Sequence, residues 1–379
     1  MAGLNADELI DRAVTRSGLS QFGEAPLREG LDAYIEAFNA HGHTARSQAS
    51  TATVIENILV ERLRVDDWIR TYPEILAEEV NTPFVVTGMG RSGTTALSQF
   101  LAQDPQARSF RRWEAANVVP PPIAGDEADP RMVATRLAFI ERDKQMPAYR
   151  SMLPVNFDDP DEHYRLMDLT FHNVSMHILH SAPGFVPAIL KSDFKPSYRY
   201  MKDVLKLLQS GTPAPHWNLK SPSDRFSVLD LKAVFPKAKI VWSHRDIVKA
   251  ISSHCSLLYM FRTSAGEQID KVAHGRDMLE YNEIGIARML AARDELGDDE
   301  FIDIRQSELL ADAEGTIERM YEGLGMTFSD EFCAAIRRKN EARKQAGAAA
   351  GHPHSPEDFG LSADEIRERF SDYISRFGV

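Results

Sequence analysis

The sequence predicts an α/β fold: a P-loop-like, three-layer domain with a central parallel sheet flanked by helices, preceded by an N-terminal helical extension. Three observations predict it. Short apolar runs alternate with amphipathic helical stretches through most of the chain after residue 80. The first such run, "TPFVVTG", leads into the glycine-bearing loop "MGRSGTT" and then into the helix-like "TTALSQFLAQ", with Pro105 just beyond. Residues 1–80 show helical spacing before the first of these runs begins.

In chain order, Leu4, Leu9, Ile10 and Val14 open a helical pattern that continues in "TATVIENILVERLRVDDWIRTYPEIL". Such a region can cover a partner or a substrate, but a helical layer packed on the main core is the simpler expectation. The α/β domain spans 81–379, with a mostly helical insertion at about 127–210 that includes "PSYRYMKDVLKLLQ". Three further strand-to-helix units follow: "HWNLK" before "DRFSVLDLKAVF", "AKIVW" before "DIVKAISSHCSLL", and "EFIDI" before "AEGTIERMYEGLG". No internal repeat is present, and the short "QAGAAAG" at 345–351 reads as a mobile loop.

Composition narrows the function classes. With 379 residues, 43% hydrophobic and 26% charged, the chain is ordinary for a globular protein. A net charge of −12 repels nucleic acid and anionic membranes, so an anionic ligand requires a local basic pocket. Cys255 and Cys333 form no CxxC pair, which suits a reducing cytoplasm. The acidic start "MAGLNADELIDRAVTRSG" is not a signal peptide, and no apolar stretch approaches the roughly 20 residues of a transmembrane segment.

In a parallel sheet, ligands bind outside the carboxyl ends of the strands, where the first loop sits. Against the pattern GxxxxGK[ST], Gly88 and Gly93 match the glycines and Thr95 the hydroxyl, but Thr94 replaces the lysine. The loop still offers backbone N–H groups, a helix N-terminus and the hydroxyls of Ser92, Thr94 and Thr95. Arg91 supplies a cation earlier in the loop, which favours an anion other than a magnesium-bound triphosphate. Arg245 follows "KIVW", where a guanidinium at a strand end suits bidentate phosphate contact, and Ser253 lies two helical turns further on. Each has a plain structural alternative: an Arg245–Asp246 salt bridge, or Ser252 in place of Ser253.

The stretch "GRSGTT" resembles the 5′-phosphosulfate loop of sulfotransferases that use 3′-phosphoadenosine 5′-phosphosulfate, especially the bacterial and tyrosylprotein-type members. "WSHRDIVKAISS" is similar to that family's 3′-phosphate motif, "WNLKSP" to its strand-end LK(S/T) segment, and "HPHSPEDFGLSADEIRERFSDYISRFG" to the closing segment of its bacterial branch. The resemblance implies that Gly90, Arg91, Ser92, Gly93, Thr94, Thr95, Arg245 and Ser253 bind the donor, with Arg91 and Lys220 also catalytic. It covers residues from about 84 to the C-terminus, and it implies no metal.

Departures from the family pattern matter too. Pro222 stands where the cytosolic branch has a histidine base, so another base is needed. The tyrosylprotein-type branch uses a glutamate about twenty residues beyond the loop arginine, which selects Glu114, offset by two residues. Glu162 and His163, in the acidic run "DDPDEH" that otherwise reads as a solvated helix-entry loop, are held in reserve. Gln306 occupies a place where a tyrosine often contacts the nucleotide. His352 and His354 are candidates to line the cofactor, while His172, His177 and His180 lack zincin spacing.

The expected activity is in-line transfer of a sulfuryl group to the hydroxyl, or less readily the amine, of a small-molecule acceptor, with 3′-phosphoadenosine 5′-phosphate as product. No nucleic acid partner is expected, and a homo-oligomer stays open. The rival classes are a P-loop small-molecule kinase, which would need a magnesium carboxylate, and a non-catalytic nucleotide-binding module.

Overall fold

Five strands, Phe84–Gly88 (β1), Ala107–Ser109 (β2), His216–Lys220 (β3), Lys239–His244 (β4) and Phe301–Arg305 (β5), form one parallel sheet in the order β2-β3-β1-β4-β5. They belong to a computed structural model that describes residues 3–179, 181–345 and 354–379. β1, β3 and nearly all of β4 are buried; β1 and β4 read as short apolar runs, whereas β3 alternates, with His216, Asn218 and Lys220 buried beside Trp217 and Leu219. β1 pairs with β3 on one side, Val86 opposite Lys220, and with β4 on the other, Gly88 opposite Ser243. The chain therefore reverses its strand order at β1, and the carboxyl ends of β3, β1 and β4 open into one crevice.

Helices cover both faces of the sheet. One face carries Ala6–Ser17 (α1), Arg28–Asn39 (α2) and Ala45–Thr71 (α3), whose Leu9, Leu31, Phe38, Leu59 and Leu63 join Phe171, Tyr198, Trp217 and Trp242 in a single apolar cluster. The extension is thus a packed layer of the core. Its helices are defined locally: Asn5 caps α1 by accepting from the Glu8 N–H at 3.1 Å, and Thr44 caps α3 by accepting from Ser47 N–H at 3.0 Å. On the other face, Phe84, Val86 and Val241 meet Leu97, Phe100, Ile317 and Phe332 in a second cluster.

Three elements differ from the sequence expectation. β2 has no apolar run, because its central Arg108 is buried by pairing with Glu114 rather than by hydrophobicity. "DRFSVLDLKAVF" is not one helix: a 3-10 turn, Pro222–Phe226, ends at Ser227, whose φ of −145° breaks the helix before Val228–Val234 begins. The run Asp158–His163 is not a solvated loop, since Asp159, Asp161 and His163 are buried. The insertion is mostly helical, from Pro130–Gln145 through Lys195–Ser210. In the "QAGAAAG" stretch only Gln345, the end of the helix Asp330–Gln345, is described; 346–351, His180 and His352 lie outside the described residues. Among the described residues no helix is long and apolar enough to cross a membrane.

Candidate active site

β1 ends at Gly88, where a Cβ would lie 2.6 Å from the Ser243 carbonyl oxygen, so only glycine lets the loop leave the sheet here. The loop then turns through two left-handed residues, Arg91 at φ 73° and Gly93 at φ 104°, into the helix Thr94–Leu101 (α4). Ser243 Oγ donates to Ser92 O at 2.8 Å and Ser92 N–H to Met89 O at 3.1 Å, which fixes the loop against β4. No side chain caps α4. Its first amides, the buried Ser92 and Thr94 and the half-buried Thr95 therefore form a donor-rich cradle, and Ser92 Oγ has no partner among the described residues.

Two guanidinium groups border this cradle. Arg91 Nε donates to Ser253 Oγ at 3.1 Å, and Arg245 Nη1 donates to Arg91 O at 2.9 Å. Asp246 is turned elsewhere, accepting from Lys249 N–H as the cap of the helix Ile247–Ser264. Ser252 also faces away, its Oγ 2.8 Å from His354 Nδ1. Burial first, and the charge of Arg245 second, push the Arg91 guanidinium down to about 10. Two neighbouring cations, one of them largely desolvated, make a place for an anion.

At the end of β3, Lys220 is 1% exposed and its Nζ donates to Glu162 Oε1 at 2.7 Å. The surrounding acidic run is held residue by residue. Asp158 accepts from Trp113 Nε1 at 2.9 Å, Asp159 from Gln99 Nε2 at 2.8 Å, and Asp161 pairs with Arg165 and Arg112 at 2.9 and 3.3 Å. Burial alone would raise the Asp161 pKa, but Arg112, Arg165 and Lys220 together hold it below the usual carboxylate range. His163 donates its backbone N–H to Lys220 O at 3.2 Å, while its ring Nε2 lies 2.9 Å from Asp224 Oδ2. Tyr198 OH donates to Asp224 Oδ1 at 2.9 Å, which completes a buried network beneath Lys220.

Glu114 lies outside this constellation. One carboxylate oxygen accepts from Arg108 Nη2 and the other from Arg111 N–H, each at 2.8 Å. The cavity of about 330 Å³ that it lines opens beside β2 and the segment before β3, and neither the loop nor Lys220 borders it. Burial pushes Glu114 upward, opposed by Arg108. Gln306 packs against Gly93, where a Cβ would lie 2.9 Å from its Cγ. A Cβ on Gly90 would lie 2.7 Å from both Cε1 and Nε2 of His254, a neighbour that no motif in the sequence marks.

A family model described as the sulfotransferase family matches residues 83–330, a span that contains the loop, Lys220, Arg245 and Ser253. The chain belongs to the sulfotransferase family. Two solved sulfotransferases resemble it over their whole length. STF9 from Mycobacterium avium shares 27% identity at a TM-score of 0.88, covering 99% of this chain and 97% of that one. STF1 from Mycobacterium tuberculosis H37Rv shares 28% identity at a TM-score of 0.87, covering 97% and 99%. No curated protein sequence matches. The structural likeness includes the α1–α3 layer, which precedes the region of the family match. This sulfotransferase thus places a glycine-bearing loop, two cations and a lysine–glutamate pair at the carboxyl ends of three neighbouring strands.

Proposed function

We propose that this sulfotransferase takes its sulfuryl group from 3′-phosphoadenosine 5′-phosphosulfate and passes it in line to a hydroxyl of a small-molecule acceptor. The observation that carries this reading is the convergence of Arg91, Ser253 and Arg245, which puts two cations and a hydroxyl beside an uncapped helix N-terminus. The loop from Gly90 to Thr95 would hold the 5′-phosphate and the sulfuryl oxygens through its amides and hydroxyls. Arg245 and Ser253 would anchor the 3′-phosphate.

For the base, Glu162 serves the reaction better than Glu114. Its carboxylate rests on Lys220 at the end of β3, next to β1 and the loop, whereas both oxygens of Glu114 are already engaged. The acceptor oxygen attacks sulfur, the bond from sulfur to the 5′-phosphate oxygen breaks, and its electron pair leaves with the bisphosphate. Glu162 receives the acceptor proton. Arg91 and the buried Lys220 offset the charge that develops on the sulfuryl and departing oxygens.

The test is thermal melting with 3′-phosphoadenosine 5′-phosphate against ATP with magnesium, followed by assay of labelled sulfuryl transfer. The bisphosphate raises the melting temperature and ATP with magnesium does not. Equal stabilisation by both would return the loop to a kinase role.

A further inference from the structure

The short segment that carries Glu162 is pinned on both sides of it. Pro160 forms an antiparallel bridge with Arg111, Asp161 N–H donates to Phe110 O at 2.7 Å, and His163 N–H donates to Lys220 O at 3.2 Å. The segment thus spans the ends of β2 and β3. Asp161 and His163 are buried, whereas the Glu162 side chain stays partly exposed and meets Lys220. Among the described residues no side chain other than Lys220 holds the Glu162 carboxylate, so its aim depends on how firmly the main chain at 161–163 is fixed.

His163 supplies that fixing from a ring that reaches no solvent. Its Nε2 lies 3.1 Å from Asp224 Oδ1 and 2.9 Å from Oδ2. A carboxylate only accepts, so Nε2 carries the proton. Nδ1 is buried and has no partner among the described residues, so neither nitrogen is placed to take a proton from an acceptor.

Asp224 is itself anchored from two further elements. Tyr198 OH, on the helix Lys195–Ser210, donates to Asp224 Oδ1 at 2.9 Å and lies 2.9 Å from Ser227 Oγ. With the phenolic proton given to Asp224, Ser227 supplies its own to the Tyr198 oxygen. Asp224 belongs to the turn Pro222–Phe226, which begins two residues after Lys220. His163 therefore grips the chain twice, through its main chain at the Lys220 carbonyl and through its ring at the turn that follows. A buried polar network of this kind rigidifies the place where it sits.

We propose that His163 is a positioning residue: by its bond to Asp224 it holds the Glu162 carboxylate against Lys220, where the proton of the acceptor is taken. This rests on the reading of Glu162 as the base and adds what aims it.

The test is a double-mutant cycle on cleavage of the sulfuryl donor. Single-turnover release of 3′-phosphoadenosine 5′-phosphate is followed with phenol as acceptor and with water alone. The proteins are wild type, His163→Leu, His163→Gln, Glu162→Gln and the double variant with His163→Leu and Glu162→Gln. Misplacing a catalytic group by about 1 Å costs up to about 10²-fold, so His163→Leu should slow cleavage roughly ten- to a hundredfold while nucleotide affinity is kept. His163→Gln, whose amide nitrogen reaches the place of Nε2, keeps most of the rate. In the Glu162→Gln background His163→Leu has no further effect, because it acts through a carboxylate that is no longer there. Leucine removes a donor from a buried carboxylate and can unfold the chain. His163→Asn, polar but too short to reach Asp224, is therefore measured beside it, with every rate taken per molecule that binds the nucleotide. A wild-type rate in His163→Asn, a His163→Gln variant as slow as His163→Asn, loss of nucleotide binding in His163→Asn, or a further fall in the double variant each overturns the proposal and leaves Glu162 as the base. An unchanged rate in Glu162→Gln overturns the reading of Glu162 and this proposal together.

Discussion

Arg91 Nε and Ser253 Oγ, 162 positions apart in the chain, lie 3.1 Å from each other. The contact joins the loop after β1 to the helix after β4, and Arg91 makes it from a left-handed backbone at φ 73°. Both the conformation and the buried charge oppose folding: a non-glycine residue in this region costs of order 1–3 kcal/mol, and burial has already pushed the guanidinium down to about 10. Arg91→Gly should therefore stabilise the nucleotide-free protein by about 1 kcal/mol, after allowance for the extra freedom of glycine in the unfolded chain, while abolishing transfer. Chemical denaturation without nucleotide checks it; a destabilised variant means that the loop is not strained.

Arg245 reaches the loop backbone, donating through Nη1 to Arg91 O, while Asp246 caps the following helix. A hydrogen bond to a charged group contributes about 1.5–3 kcal/mol, and each ~1.4 kcal/mol is tenfold in affinity. Arg245→Ala is expected to weaken 3′-phosphoadenosine 5′-phosphate by roughly ten- to a hundredfold and to leave 5′-AMP nearly unchanged. Ser253→Ala shifts the same difference by less, since a neutral hydroxyl is the weaker donor. Titration of both nucleotides decides it. Equal loss for the two would make Arg245 a support of the loop through Arg91 O alone.

Glu162 and Glu114 separate by what their replacement leaves behind. Glu162→Gln keeps a hydrogen-bonding group beside Lys220 but removes the proton acceptor, so turnover should fall roughly 10²–10⁴-fold with nucleotide affinity kept. Glu114→Gln strips the buried Arg108 of its carboxylate, and breaking such a pair costs about 3 kcal/mol. Its turnover per folded molecule is expected to stay near wild type. Melting curves and initial rates on the same preparations distinguish the two, and a Glu114→Gln variant that folds normally but does not turn over would return the role of base to Glu114.

The strand-to-helix units were legible because buried parallel strands leave continuous apolar runs and their helices leave a different period. β2 was not, since Arg108 is buried through Glu114 and a cation–π contact with Trp217, 4.2 Å from the ring, neither of which has a local signature. The loop residues announced themselves through glycine spacing. Glu162 lay in a charge run that reads as solvated, and only the three-dimensional pairing with Lys220 sets it apart from Asp158, Asp159 and Asp161. His254, Asn282 and Arg225 were beyond reach for the same reason, as their link is a shared amide oxygen between separate helices and turns.

The neutral state of His254 has a consequence for stability that needs no ligand. Its pKa is about 3 in the folded protein and 6.5 in the unfolded chain, so the unfolded state binds the proton more tightly. For a depressed pKa the contribution to stability is present above the unfolded value and is lost as pH falls towards the folded one. Between about pH 5.5 and 4, each pH unit should thus remove about 1.4 kcal/mol through this residue. His274, lowered to about 4 chiefly by burial and then by Arg262, adds a similar loss over the upper part of that range. His254→Gln cannot take up the proton in either state. Its unfolding free energy, measured by urea denaturation at several pH values, should fall with a slope about 1.4 kcal/mol per pH unit shallower than wild type, whatever its stability at pH 7. Parallel slopes would mean that the folded protein protonates His254 as readily as the unfolded chain does.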